Sequence, residues 1–116
     1  MRVLVVEDEP LLSMLLEESV MELGHELAGS AATVDQALET LQSRAIDIAL
    51  LDFSLGHKTT SLPVAERLQA AGIPFIFLSG HHSLEGEGDI PPAPLLTKPF
   101  SLEQLDAAIR GLDVPA

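Results

Sequence analysis

Residues 46–52 read IDIALLD, and this short stretch decides the fold. Apart from Asp47 it is an apolar run, and it ends at the carboxylate of Asp52. A short run of this kind, bounded by polar residues, is typical of a strand that is buried on both faces in the middle of a parallel sheet. Parallel neighbours need long crossover connections, usually helices, so the stretch predicts an α/β protein.

The chain on both sides of this strand repeats a strand followed by a helix. Further strand-like apolar runs occur at residues 2–6, 27–31, 74–78 and 95–96. Helices with apolar residues at helical spacing are predicted to begin at Pro10, at Thr33 or Asp35, at Pro63 and at Ser101. The segment 81–94 is rich in Gly and Pro, which disfavours a helix there. Five strand-helix units, the fourth with a degraded helix, predict a sandwich around a parallel sheet.

Length and charge restrict the class of protein. The 116 residues suffice for one domain, so we expect residues 1–116 to be a single domain. A formal net charge of −12 disfavours direct binding to nucleic acid or to anionic membranes. The chain has no Cys, which excludes disulfides and thiolate metal sites. No apolar run is long enough to span a membrane and the start does not resemble a signal peptide, so we expect a cytoplasmic protein.

Polar side chains stand where the predicted strands end. Glu7 and Asp8 follow the first strand, Asp52 ends the third, Ser79 ends the fourth and Lys98 follows the fifth. Because ligands bind at the carboxyl edge of such sheets, we expect these five side chains to converge. Three carboxylates without His or Cys suit a hard divalent cation, Mg²⁺ or Mn²⁺. Ser79 and Lys98 suit the oxygens of a transferred phosphoryl group, and Asp52 is the candidate nucleophile.

Four motifs together resemble those of two-component response-regulator receiver domains, across essentially the whole chain. They are VVEDEP, LLDFSLG, FIFLSG and LTKPF. The resemblance implies a flavodoxin-like (βα)5 three-layer sandwich with a five-stranded parallel sheet in the order 2-1-3-4-5. The segments PFIFLSGHH, AERLQAAGIP and LG…SLPVAE also resemble the stand-alone receivers of the FATGUY class, which usually have threonine and tyrosine where this chain has Ser79 and two histidines. We therefore expect a single-domain regulator without an output domain.

The resemblance also implies roles for the acidic residues. Asp52 would accept a phosphoryl group from a histidine kinase or a histidine phosphotransfer protein, and the chain would then act on a downstream protein target. Asp8, Asp52 and the backbone carbonyl of Ser54 would ligate Mg²⁺, with Glu7 acting mainly through metal-bound water. Catalysis would be limited to the chain's own phosphorylation and slow hydrolysis, so we expect a signalling module rather than an enzyme.

The remaining motifs fit the family with two departures. Ser79 and Lys98 would bind phosphoryl oxygens, and the bond between Lys98 and Pro99 would be cis, as it commonly is in such domains. The family usually has Tyr or Phe three residues before the lysine, where this chain has Leu95. The segment 85–94 falls where the fourth helix and its partner surface normally lie. We hypothesise that phosphorylation orders or repositions this segment instead.

Two other functions compete with this interpretation. A phosphatase with an aspartyl nucleophile would typically carry a second Asp two residues later as general acid, and Ser54 stands there. A pseudo-receiver adaptor would bind its partners without phosphate. Taken singly, Asp8 is also compatible with a helix cap, and Asp52 or Ser79 with a turn. The order of all these features along the chain favours the phosphoacceptor.

Overall fold

The structure, a computed structural model, describes residues 1–56, 59–80 and 90–114. Within these residues the chain has five strands and four helices, and a helix follows each of the first three strands and the last one. The strands are β1 (Arg2–Val6), β2 (Glu26–Ala31), β3 (Ile48–Asp52), β4 (Phe75–Ser79) and β5 (Leu95–Thr97). The helices are α1 (Pro10–Glu22), α2 (Val34–Ser43), α3 (Leu62–Ala71) and α4 (Leu102–Arg110).

The strands form one sheet in the order β2-β1-β3-β4-β5, and every neighbouring pair is parallel. This confirms the predicted fold. Strand β3 lies in the middle, and all five of its residues are buried. Its sequence lacks the alternation of a half-exposed strand because helices cover both faces of the sheet.

Among the described residues, the hydrophobic core consists of two clusters, one on each face of the sheet. Ala37 of α2 and Leu68 of α3 belong to one cluster. Leu16 of α1 and Leu105 of α4 belong to the other. The protein is therefore a three-layer sandwich with α2 and α3 on one side and α1 and α4 on the other. Each fully buried leucine contributes roughly 1.5–3 kcal/mol relative to an exposed one.

Local sequence signals account for where several helices begin and end. The Thr33 side chain accepts a hydrogen bond from the backbone N–H of Gln36 and caps α2. Ser101 and Gln104 form a reciprocal capping box at the start of α4. Gly72 ends α3 with φ of 72°, a left-handed conformation that glycine adopts without steric cost. Of the two starts considered for the second helix, Thr33 is therefore the cap.

The apolar stripe of α1 is only partly core. Leu16 and Val20 are buried, but Leu15 is 50% exposed. Leu11 and Met14 are also exposed, on the same helix. The contact that one helix makes with the sheet is narrower than the apolar stripe, so part of the stripe faces outward.

The degraded helix predicted between the fourth and fifth strands falls mainly on residues 81–89, which lie outside the described residues. Residues 90–94 form no helix and run directly into β5. Ile90 and Ala93 pack beside Leu95 against the core cluster that includes Leu68. Among the helices that the structure describes, none is long and apolar enough to cross a membrane.

Candidate functional site

The parallel register brings the five predicted side chains to one edge of the sheet. Glu7 and Asp8 follow the last residue of β1, and Asp52 is the last residue of β3. Ser79 is the last residue of β4, and Lys98 follows β5. All five therefore lie at the carboxyl edge, as predicted. The bond between Lys98 and the following proline is cis.

Three carboxylates meet at this edge. One ligand oxygen from each of Glu7, Asp8 and Asp52 lies within 4.8 Å of the others. Glu7 is 2% exposed and Asp52 is 7% exposed, whereas Asp8 faces solvent. Within the part of the chain that the structure describes, this is the one cluster of acidic or histidine side chains with metal-ligand spacing.

Lys98 pairs with two of the three acids. Its Nζ lies 3.1 Å from Oε1 of Glu7 and 3.2 Å from Oδ2 of Asp52. Burial alone would lower the pKa of Lys98, but the hydrogen bond to Glu7 and the charges of both acids outweigh it and raise that pKa. The lysine is therefore a fixed cation between β1 and β3.

Lys98 does not neutralise all of the negative charge of the three acids. Burial raises the pKa of Glu7, and its contact with Asp52 raises it further, while Lys98 opposes the shift. Burial and the neighbouring Glu7 also raise the pKa of Asp8. Three carboxylates and one ammonium leave a formal charge of −3 + 1 = −2 among these residues. The cluster therefore attracts positive charge.

The simpler interpretation of Asp8 as a helix cap does not fit the geometry. The N-cap of α1 is Glu9, and it makes no side-chain cap hydrogen bond. Asp8 instead belongs to the carboxylate cluster with Glu7 and Asp52.

The other two predicted residues lie close by in the fold. Ser79 is buried, with 5% exposure, at the end of the strand that neighbours β3. Ser54 follows Asp52 by two residues and pairs with Thr60 in an isolated antiparallel bridge.

Two features of this edge were not predicted from the sequence. Gly56 approaches the Asp8 carboxylate so closely that a Cβ atom there would lie 2.9 Å from Oδ2. The LG dipeptide in LLDFSLG was the available signal, since a glycine after a polar turn often marks a close backbone approach.

The second feature is a largely apolar pocket of about 580 Å³ beside the carboxylates. Its lining residues come from α1, from the edge of the sheet and from the start of the segment before α4: Glu7, Leu12, Leu15, Leu16, Ser19, Lys98, Pro99 and Phe100. Sequence periodicity shows that α1 has an apolar stripe, but it does not show that part of the stripe stays open next to the acids.

Comparison with known proteins identifies the family. The model of the response regulator receiver domain matches residues 3–110. The phyllosphere-induced regulator PhyR of Methylorubrum extorquens is 34% identical over 110 residues, covering 92% of this chain and 41% of PhyR. The transcriptional regulatory protein PdtaR of Mycobacterium tuberculosis is 29% identical, covering 94% of this chain and 55% of PdtaR. The chain thus spans about half the length of these curated relatives.

Solved structures agree with this match. SdrG from Sphingomonas melonis Fr1 superposes with a TM-score of 0.81 at 37% identity, covering 95% of this chain and 93% of SdrG. The receiver domain of Erythrobacter litoralis PhyR superposes with a TM-score of 0.82 at 33% identity, covering 99% of this chain and 94% of that domain. With an acidic edge, a parallel sheet in the expected order and these relatives, the chain belongs to the response regulator receiver domain family.

Proposed function

We propose that this receiver domain accepts a phosphoryl group on Asp52 from a histidine kinase or a histidine phosphotransfer protein. The observation that carries the proposal is the placement of Lys98, whose ammonium lies 3.2 Å from Oδ2 of Asp52 at the edge where Glu7 and Asp8 also lie. At this distance from Asp52, the lysine would also reach the oxygens of a phosphoryl group transferred to that carboxylate.

The carboxylate cluster fits a divalent cation in its chemistry and its charge. The oxygen donors suit Mg²⁺ or Mn²⁺. One such divalent ion would neutralise the formal charge of −2 that the three acids and Lys98 carry together. Asp8, Asp52 and the Ser54 carbonyl would hold the cation, with Glu7 acting mainly through bound water. The cation supplies positive charge that offsets the charge on the phosphoryl oxygens during transfer.

The transfer step conserves atoms and charge. An oxygen of Asp52 forms the new bond to phosphorus as the nitrogen–phosphorus bond of the donor histidine breaks, and the leaving imidazole takes up a proton from solvent. Formation of the acyl phosphate removes the negative charge of the Asp52 carboxylate, so Lys98 would lose one of its two ion-pair partners and would turn to the phosphoryl oxygens. Ser79, at the end of the neighbouring strand, would donate a hydrogen bond to the same group.

The pocket beside the carboxylates is proposed as the contact for the phosphodonor protein. Leu15 lines it, and Leu11 and Met14 are exposed on the same helix. The charged residues of α1 are all acidic. We infer that the donor presents a helix with an apolar residue flanked by basic residues, because this surface combines an apolar pocket with negative charge. Phosphorylation would then change binding to a downstream protein target.

A direct phosphorylation experiment tests the proposal. The intact protein, incubated with acetyl phosphate or phosphoramidate and Mg²⁺, is expected to gain one phosphoryl group by intact-protein mass spectrometry. Asp52→Asn is expected to abolish the gain because the nucleophile is lost. Asp113→Asn, which changes an exposed aspartate elsewhere, serves as the matched control and should react like the wild type. Failure of the folded wild type to incorporate phosphate would contradict phosphoacceptor function.

A further inference from the structure

In the connection between β3 and α3, residues 53–56 pair in antiparallel fashion with residues 59–61, and we call these two described segments the hairpin. Its base is buried, with Phe53 at 6% and Ser61 at 0% exposure. Backbone contacts close it in sequence: Ser61 N–H to Phe53 O (2.9 Å), the bridge between Ser54 and Thr60, Leu55 N–H to Thr59 O (2.8 Å) and Thr59 N–H to Gly56 O (2.7 Å). The position of Gly56 is therefore tied to the core through the hairpin.

Gly56 is the point at which this hairpin meets the carboxylate cluster. Its φ is 76°, a left-handed conformation that strongly favours glycine. A Cβ atom built on its backbone would lie 2.9 Å from Oδ2 and 3.9 Å from Cγ of Asp8. Real Cβ atoms essentially never approach another atom closer than 3.0 Å. A side chain at position 56 would therefore displace the Asp8 carboxylate or the hairpin.

The Asp8 carboxylate needs support of this kind. It is the exposed member of the cluster, whereas Glu7 and Asp52 are buried. Glu7 and Asp52 each form an ion pair with Lys98. Asp8 is not among the ion-pair partners of Lys98 within the described residues. Gly56 lies so close that any side chain there would enter the space of the Asp8 carboxylate, so the absence of a side chain leaves that position open.

We propose that Gly56 is a positioning residue for the divalent cation. Its missing side chain lets the hairpin backbone pack against Asp8, so that this exposed carboxylate stays beside Glu7 and Asp52. The inference rests on the proposed function, since it assumes that these acids hold a cation. It assigns to the hairpin the support that metal ligands generally receive from residues outside the ligand set.

The test is Mn²⁺ binding to the intact protein, measured by electron paramagnetic resonance of the free ion. Gly56→Ala is expected to raise the Kd for Mn²⁺ by about tenfold or more, the usual size of a lost supporting contact. The matched control is Gly72→Ala. Gly72 has a similar φ of 72°, but a Cβ there meets nothing within 4 Å, so this variant carries a comparable left-handed residue without a steric clash and is expected to keep the wild-type Kd.

A second measurement separates positioning from general damage. In phosphorylation by acetyl phosphate, Gly56→Ala is expected to need a higher Mg²⁺ concentration for half-maximal rate, while the rate at saturating Mg²⁺ stays near that of the wild type. A structural defect would lower the saturating rate as well. If Gly56→Ala does not fold, Gly56→Asn replaces it, because asparagine tolerates the left-handed conformation but carries the same Cβ.

The outcomes distinguish this inference from the proposed function. A wild type that binds Mn²⁺, with loss of binding in Asp8→Asn and weakened binding in Gly56→Ala, supports both. A wild type that binds Mn²⁺ together with a Gly56→Ala variant of equal affinity overturns the role of Gly56 alone. A folded wild type that binds no Mn²⁺ overturns the proposed cation site, and the inference fails with it.

Discussion

The two ends of strands β1 and β3 carry different kinds of ion pair. At the amino edge, the Arg2 guanidinium binds Asp47 in a two-pronged contact, with Nε to Oδ2 and Nη2 to Oδ1 both at 3.1 Å. At the carboxyl edge, one lysine serves Glu7 and Asp52, with Asp8 nearby. The first pair matches one cation to one anion in solvent, whereas the second leaves surplus negative charge in a largely buried place. Surplus buried charge indicates a binding site rather than a structural clip.

The acids at the two edges also differ in the direction of their pKa shifts. Hydrogen bonds from the Arg2 side chain and backbone hold the pKa of Asp47 at about 2. Burial raises the pKa of Glu7 instead. A matched partner thus favours the charged form at one edge, while burial and neighbouring acids disfavour it at the other.

The largest effect is expected from removal of the shared lysine. Lys98→Met leaves Glu7 and Asp52 without their cation in a buried site, and should lower the free energy of unfolding by about 3 kcal/mol at neutral pH. The loss should be smaller at mildly acidic pH, because a protonated Glu7 no longer needs the partner. Urea unfolding of the variant and the wild type at neutral and at mildly acidic pH measures the loss in the free energy of unfolding.

The amino edge provides the control for this variant. Arg2→Met removes an equally well-formed ion pair whose arginine side chain is 49% exposed, so it should change stability much less. Equal losses in the two variants would mean that burial does not distinguish the edges and would contradict the comparison.

A smaller effect is expected in the pH dependence of stability, with opposite signs at the two edges. The depressed pKa of Asp47 means that its stabilisation is present above the unfolded value of 3.8 and is lost as pH falls toward about 2. The raised pKa of Glu7 means that protonation stabilises the fold below the unfolded value of 4.5, and that this contribution is lost as pH rises through the folded pKa.

Two conservative variants separate these contributions. In Asp47→Asn, the free energy of unfolding should decrease less than in the wild type as pH falls below 3.8. The difference should be less than about 1 kcal/mol because solvent screens the pair. Glu7→Gln should instead gain stability relative to the wild type as pH rises above 4.5. Urea unfolding of each variant and of the wild type between pH 2 and pH 7 measures both effects. If the two variants change the pH dependence of the free energy of unfolding in the same direction, the two edges do not differ as proposed.

The smallest effect on stability is expected at the pocket beside the carboxyl edge. Leu15→Ser changes a half-exposed residue, so the free energy of unfolding should shift by roughly 0.5 kcal/mol or less. Transfer from a phosphorylated donor protein identified by phosphotransfer profiling should slow by about fivefold or more, the size expected if Leu15 is one of the few residues that carry most of the binding energy.

Small-molecule donors separate docking from chemistry in this variant. Phosphorylation of Leu15→Ser by acetyl phosphate should match the wild type, since Asp52 does not line the pocket to which Leu15 belongs. Met21→Ser is the matched control, because Met21 is 54% exposed on the same helix but does not line the pocket. Equal slowing by both variants would mean that the pocket is not the contact.

The fold was predictable because its signals are local. The apolar run before Asp52 indicated a central strand, and the residues that cap α2 and α4 mark helix starts in the sequence itself. The sequence predicts the burial of the leucine stripe of α1 less well. Periodicity shows that a helix has an apolar face, but not how much of that face its neighbours cover, so it does not predict the exposure of Leu15.

By itself the sequence determined which chemical groups stand at the carboxyl ends of the strands, because buried apolar runs and the polar residues that end them are neighbours along the chain. Only the tertiary structure decided that Lys98 reaches Glu7 across 91 positions, that α1 leaves a pocket beside them, and that a side chain at Gly56 would meet the Asp8 carboxylate. Such contacts depend on the register of separate strands and on the path of a connecting hairpin. Both are settled by packing of the whole chain rather than by any one segment.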